Sequence, residues 1–127
     1  MRNLENLRPY QERLAIRLWE DCGHKPGALL AVDMGLGKTV TTATAVRWLL
    51  DCFLVRKVLI VAPLRVAQKT WPDEFAAWSH LRPLQVHGLC GRIGQKVSPS
   101  QREQRLREFL DDPRAEIAII NRENVVW

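Results

Sequence analysis

Hydrophobic residues are spaced along this chain in two ways, as short unbroken runs and as single positions recurring every three or four residues. Unbroken runs at 29–32, 57–62 and 116–121, and a shorter alternating one at 84–87, predict four strands. The runs at 57–62 and 116–121 have no polar alternation, as expected of parallel strands covered on both faces. Between them the pattern turns helical. Tyr10, Leu14 and Leu18 form one apolar face of a helix over 9–21, with Pro9 in its first turn. Gly23, Pro26 and Gly27 then predict a loop, with His24 solvated in it. Val40, Ala43, Val46, Arg47 and Leu50 line one side of a helix over 39–52. Residues 64–80 read as two helical pieces broken near Trp71 by Pro72.

After the 84–87 strand, residues 88–97 form a Gly- and Arg-rich loop. Ser98, Pro99 and Gln101 then make a helix start, with Ser98 as cap and Gln101 closing the capping box. Leu106, Phe109 and Leu110 are its expected buried stripe, and Asp111, Asp112 and Pro113 close it. Strand alternating with helix in this way predicts an α/β fold with a parallel sheet. Ligands of such sheets lie beyond the carboxyl ends of the strands. The segments 33–39, 63–65 and 121–123 each follow a predicted strand, so they should share one rim.

The first of these segments carries chemistry. Asp33-Met34-Gly35-Leu36-Gly37-Lys38-Thr39 stands between a predicted strand and a predicted helix. Backbone N–H groups at a helix N-terminus can hold an anion. Gly35 and Gly37 allow close approach of a phosphate, Lys38 brings charge to outer phosphates, and Thr39 brings a hydroxyl for Mg²⁺. The strict phosphate-loop spacing would put a glycine at position 32, where this chain has Val32.

A formal net charge of +5 fits a polyanionic partner without requiring one. Cys22, Cys52 and Cys90 show neither disulfide nor zinc spacing, which suits a reducing compartment. The N-terminus lacks an apolar leader, and no apolar run approaches the ~20 residues of a membrane span, so a cytoplasmic protein without a membrane partner is expected. Trp71 and Trp78 could stack bases but read more simply as packing residues. Arg102, Arg105 and Arg107 read as a solvated helix face.

Leu7-Arg8-Pro9-Tyr10-Gln11, the loop 33–39, Ala62-Pro63-Leu64-Arg65 and Ile119-Ile120-Asn121-Arg122-Glu123-Asn124 together resemble the first RecA-like lobe of superfamily 2 helicases. The likeness is greatest to Swi/Snf-related ATP-dependent translocases of bacterial and phage type. It implies a three-layer P-loop NTPase fold with a mainly parallel sheet, incomplete at the C-terminus, and ATP and Mg²⁺ as cofactors. It implies that 1–127 is the N-terminal part of the ATP-binding domain, with a second lobe and a nucleic acid, double-stranded DNA above all, as partners. By the same resemblance Arg8, Tyr10 and Gln11 meet the adenine, and a glutamine amide suits its donor–acceptor edge. Met34, Gly35, Leu36, Gly37, Lys38, Thr39 and Val40 hold the phosphates. Lys38 and Thr39 serve catalysis, and Thr39 the metal. Pro63, Leu64, Arg65 and Asn121 meet the nucleic-acid backbone, which needs donors rather than base readers. Family members usually place two acidic residues before Met34, where this chain has Val32 and Asp33.

Hydrolysis in this family needs an acidic D-E-x-H element at a strand end. The one Asp-Glu pair, Asp73-Glu74, follows Pro72 and reads as a first helical turn, where carboxylates are favoured. A fragment of a larger enzyme is therefore expected. Two other readings stay open, a nucleotide-dependent binding module without turnover and a small P-loop kinase.

Overall fold

The computed structural model describes residues 1–25, 27–30, 37–91 and 93–125. They fall into two compact units, Met1–Val55 with Glu74–Pro83, and Arg56–Asp73 with Leu84–Trp127.

The first unit is helical. A 3-10 turn, Leu4–Asn6, leads into α1, Pro9–His24, which packs on α2, Lys38–Asp51. Trp19 and Trp48 meet edge to face, with ring centroids 6.4 Å apart. The second unit carries the sheet: β1 (Val58–Ala62), β2 (Val86–Gly88) and β3 (Ile117–Asn121), all parallel, in the order β1-β3-β2. Central β3 buries Ile117, Ala118 and Ile119 completely. Helix α3 spans Trp71–Ala77, and α4, Pro99–Asp111, sets Phe109 into a cluster with Leu89, Ala115 and Ala118. The fold is α/β with a parallel sheet, as a RecA-like lobe requires.

Ser98 and Gln101 form the expected capping box. Ser98 Oγ accepts from Gln101 N at 3.2 Å, and Gln101 Oε1 accepts from Ser98 N at 2.9 Å. Lys57 closes the other end of α4 by donating to the carbonyl oxygens of Phe109, Asp112 and Ala115 at 2.7–2.8 Å. Past the last helical turn such carbonyls have no ladder donor, and Asp112 O is met besides by Ala115 N at 3.1 Å.

Several expected elements differ, each for a physical reason. Leu29 and Leu30 lie in irregular backbone with Leu29 93% exposed, and none of the three strands pairs with them. An apolar run becomes a strand only where a ladder partner exists; the rest of that run, Ala31 and Val32, lies outside the described residues. Helix α1 continues through Gly23 to His24, ending where Lys25 N donates to Asp21 O. Its buried positions include Leu7 just before it, Gln11 and Ala15, while Tyr10, Leu14 and Leu18 are half-buried. Counting apolar residues missed this stripe because its middle member is an amide.

No break occurs at Trp71, whose φ of −65° and ψ of −49° are helical. The preceding turn, Val66–Thr70, is a π-helix, in which Trp71 N reaches back to Val66 O. The wider turn changes the ladder just before Pro72, which has no N–H to donate. In β1, Leu59 and Val61 are 56% and 49% exposed, so that strand is covered on one face only, as an edge strand of a small sheet. Strand β2 begins later than expected, because its ladder with β3 pairs Val86 with Ile117. Of the stripe on α4 only Phe109 is buried, since one aromatic fills the gap to β3 and leaves Leu106 and Leu110 outside. Arg105 is not simply solvated, for its Nη1 donates to Gly88 O at 3.1 Å.

Candidate nucleotide site

Gly37 precedes α2 with φ 76° and ψ 40°, a left-handed conformation that side chains with a Cβ disfavour. The first ladder bond of α2 runs from Thr41 N to Gly37 O at 3.1 Å. The N–H groups of Lys38, Thr39 and Val40 come before it, so the helix gives them no acceptor. Lys38 is exposed, Thr39 half-buried and Val40 buried. Met34, Gly35 and Leu36 lie outside the described residues.

Gln11 approaches this turn from α1. It is 8% exposed, and its Oε1 accepts from Arg8 N at 2.9 Å. That bond fixes the amide by its oxygen and turns the nitrogen toward Gly37, where a Cβ would collide with Gln11 Nε2. Gly37 is thus required twice, by its backbone angle and by the amide packed against it. Arg8, Tyr10, Gln11, Gly37 and Val40 all line one cleft of about 860 Å³. Arg2, Glu74 and Trp78, to which no nucleotide-binding motif points, line the same cleft. Only the folded chain joins them: Arg2 N donates to Ala77 O at 3.3 Å, and Ser79 N donates to Arg2 O at 2.7 Å. Trp78 is buried and donates from Nε1 to Glu74 Oε2 at 2.8 Å. Asp73, the other half of the acidic pair, is held by Lys69 at 2.9 Å on the helix surface.

In the second unit the register pairs Ala62 with Asn121, so the segments that follow β1 and β3 leave the same edge side by side. Pro63, Leu64 and Arg65 are exposed there. Asn121 is only 4% exposed. Its Nδ2 donates to Glu123 Oε2 at 2.9 Å, and its Oδ1 accepts from Asn124 Nδ2. Glu123's own backbone N–H and then the Asn121 amide hold the Glu123 carboxyl below the usual range. Two of the three expected rim segments are thereby adjacent. The third, the phosphate loop, belongs to the other unit.

An α/β chain with this glycine turn, the following lysine and threonine, and an upstream glutamine against the glycine has the parts of a P-loop nucleotide site. The chain belongs to the SNF2-related domain family, which matches residues 10–118. It is 38% identical over 95 residues to protein p41 of Acyrthosiphon pisum secondary endosymbiont phage 1, covering 74% of this chain and 18% of that one. It is 38% identical over 100 residues to the DNA repair and recombination protein RAD54-like of Drosophila willistoni, covering 71% and 12%. The DNA excision repair protein ERCC-6-like of Mus musculus is 40% identical over 65 residues, covering 50% and 5%. The chain spans less than a fifth of the length of these relatives. No described helix is long and apolar enough to cross a membrane.

Proposed function

We propose that this chain is the ATP-binding part of an ATP-dependent DNA translocase or helicase. The observation that carries the reading is Gly37, left-handed at the start of α2, with Lys38 and Thr39 after it and the buried Gln11 amide against it. The N-terminal N–H groups of α2 and the Lys38 ammonium would hold the phosphates, joined by Met34, Gly35 and Leu36. Thr39 would give its hydroxyl to Mg²⁺, which would supply positive charge to the phosphates. Gln11, fixed by Arg8 N, would take the adenine edge, with Arg8, Tyr10 and Val40 bounding the base. The residues fit the cofactor: a glycine that admits no Cβ lines the cleft, and a helix N-terminus with a cation follows it directly in the chain.

The relatives whose names refer to DNA repair support DNA as the polymer acted on, and the proposed form is double-stranded. Arg65 and the exposed backbone of 63–65 would meet its phosphates, with Asn121 shaping the neighbouring turn. A second lobe would close over the site, and the whole enzyme would work in the cytoplasm. The same chemistry assigns no turnover to these residues by themselves, because the sequence holds no D-E-x-H element to orient water.

Calorimetric titration with ATP and Mg²⁺ tests the site. Lys38→Ala should weaken binding at least tenfold while leaving the melting temperature unchanged, since Lys38 is exposed at the helix start. Equal affinity in the two proteins would remove Lys38 from its role.

A further inference from the structure

The cleft that Gln11 lines also carries an acceptor that the nucleotide-binding residues above do not use. Glu74 lines the cleft half-buried, on α3. One carboxylate oxygen, Oε2, is fixed by Trp78 Nε1 at 2.8 Å. Trp78 is itself held: it is 4% exposed, the Arg2 guanidinium lies 5.7 Å from its ring centroid, and the His80 ring meets it edge to face. The backbone bridge between Arg2 and Trp78 ties the N-terminal segment to the same cleft. The Glu74 side chain is therefore oriented by its neighbours, while its second oxygen, Oε1, takes no hydrogen bond among the described residues.

A carboxylate oxygen only accepts. A nucleotide brings few donors to such a cleft, namely the amino group of the base and the ribose hydroxyls. If Gln11 takes the donor–acceptor edge of adenine, the hydroxyls are the donors left. We infer that Glu74 is a sugar-reading residue, accepting a hydrogen bond from a ribose hydroxyl of the bound nucleotide. Trp78 and the N-terminal strap through Arg2 act as positioning groups that hold its carboxylate. The inference rests on the proposed nucleotide site and adds to it a discrimination between ribo- and deoxyribonucleotides.

Calorimetric titration of the chain with unlabelled ATP, 2′-deoxy-ATP and 3′-deoxy-ATP, each with Mg²⁺, is the test. A charge-assisted hydrogen bond lost in a partly enclosed cleft predicts about a tenfold preference for ATP over the analogue lacking the hydroxyl that Glu74 takes. Glu74→Ala should bring that ratio close to one. Because this change also strands the Trp78 N–H, Glu74→Gln serves as the second variant. Its amide oxygen can still accept from Trp78, and the NH₂ in place of Oε1 can only donate, so the hydroxyl would have to accept from it, and the preference should drop to about threefold, as expected when a neutral bond of reversed direction replaces a charge-assisted one. Thermal melting verifies that both variants fold. A wild-type chain that binds ATP and both deoxy analogues equally, or a preference that survives in a folded Glu74→Ala, overturns the sugar assignment while leaving the nucleotide site standing. Absence of any Lys38-dependent ATP binding overturns both.

Discussion

Gln11 and Asn121 are both primary amides with little exposure, 8% and 4%, one in each unit, and their hydrogen bonds run in different directions. Asn121 uses its amide within its own turn, on Glu123 and Asn124. Gln11 uses its oxygen locally, on Arg8 N, and sets its nitrogen against Gly37 in a distant part of the sequence. A buried amide has to find partners or cost stability. Where all partners are near neighbours, as for Asn121, the result is a stiffened turn. Where the amide packs on a glycine far along the chain, as for Gln11, two segments become one site. The first unit thus depends on a contact that crosses the sequence, and the turn after β3 on contacts inside it.

The contrast is broken most severely at Gly37. Gly37→Ala should cost about 1–2 kcal/mol through the left-handed backbone alone. Its methyl group also occupies the space of the Gln11 amide nitrogen, which lies at the end of a flexible side chain and would swing away. Stability should therefore fall moderately, and ATP affinity by roughly tenfold or more, as both the turn and the amide leave their places. Chemical denaturation and calorimetric titration would separate the two effects. A variant that binds ATP like the wild type would show that the packing of Gln11 on Gly37 has no part in the site.

Asn121→Ala is the corresponding change in the second unit, and its effect should stay local. Losing one charge-assisted and one neutral hydrogen bond at a buried position should cost about 2 kcal/mol. The loss should appear as faster hydrogen exchange in 121–124 and the end of β3, with ATP affinity unaltered. Weakened ATP binding in this variant would mean that the two amides belong to one network after all.

The same division explains what could be read before folding. The Ser98–Gln101 box, the start of α4 at Pro99 and helix α2 were legible because their causes lie within one or two turns of chain. The parallel sheet was legible because unbroken apolar runs alternating with helices leave few other arrangements. Gln11 was found through its motif alone. By pattern it is a polar residue on a surface helix, and only the presence of Gly37 beside it makes it a buried one. Arg2 had no signal, and Glu74 and Trp78 were legible only as a helical first turn and a packing residue, because the strap that joins them pairs the N-terminus with the end of α3. The exposure of Leu59, Leu106 and Leu110 was misread for a related reason: apolar character says that a residue can be covered, and neighbours decide whether it is.

The half-buried His80 in the first unit gives the smallest effect and tests how far that unit relies on contacts across the sequence. Thr44 Oγ1 donates to Val40 O at 2.7 Å and lies 2.9 Å from His80 Nε2. With its proton committed to Val40, the hydroxyl oxygen accepts, so the proton of the neutral ring belongs on Nε2. His80 Nδ1 is then the bare nitrogen, buried and without a hydrogen-bond partner among the described residues. Protonation would place a charge and a new donor there. Burial first, and then the nearby Arg47 guanidinium, hold the His80 pKa below its usual 6.5. Arg47 also donates to His80 O and is paired with Asp51 at 3.1 Å, so its charge is only partly offset. Glu74, the nearby carboxylate on α3, is bonded to Trp78 Nε1. A histidine whose folded pKa is depressed binds its proton more readily when unfolded, so stability rises with pH through this range. The contribution is fully present above the unfolded value and is lost as pH falls below it toward the folded one. Melting temperature measured from about pH 7.5 down to 5.5 should therefore decline. His80→Gln keeps an amide N–H that can reach Thr44 but cannot titrate, and it should flatten the decline relative to the unsubstituted chain. An unchanged slope in that variant would free α2 from His80, leaving Gln11 as the sequence-spanning polar contact on which the site depends.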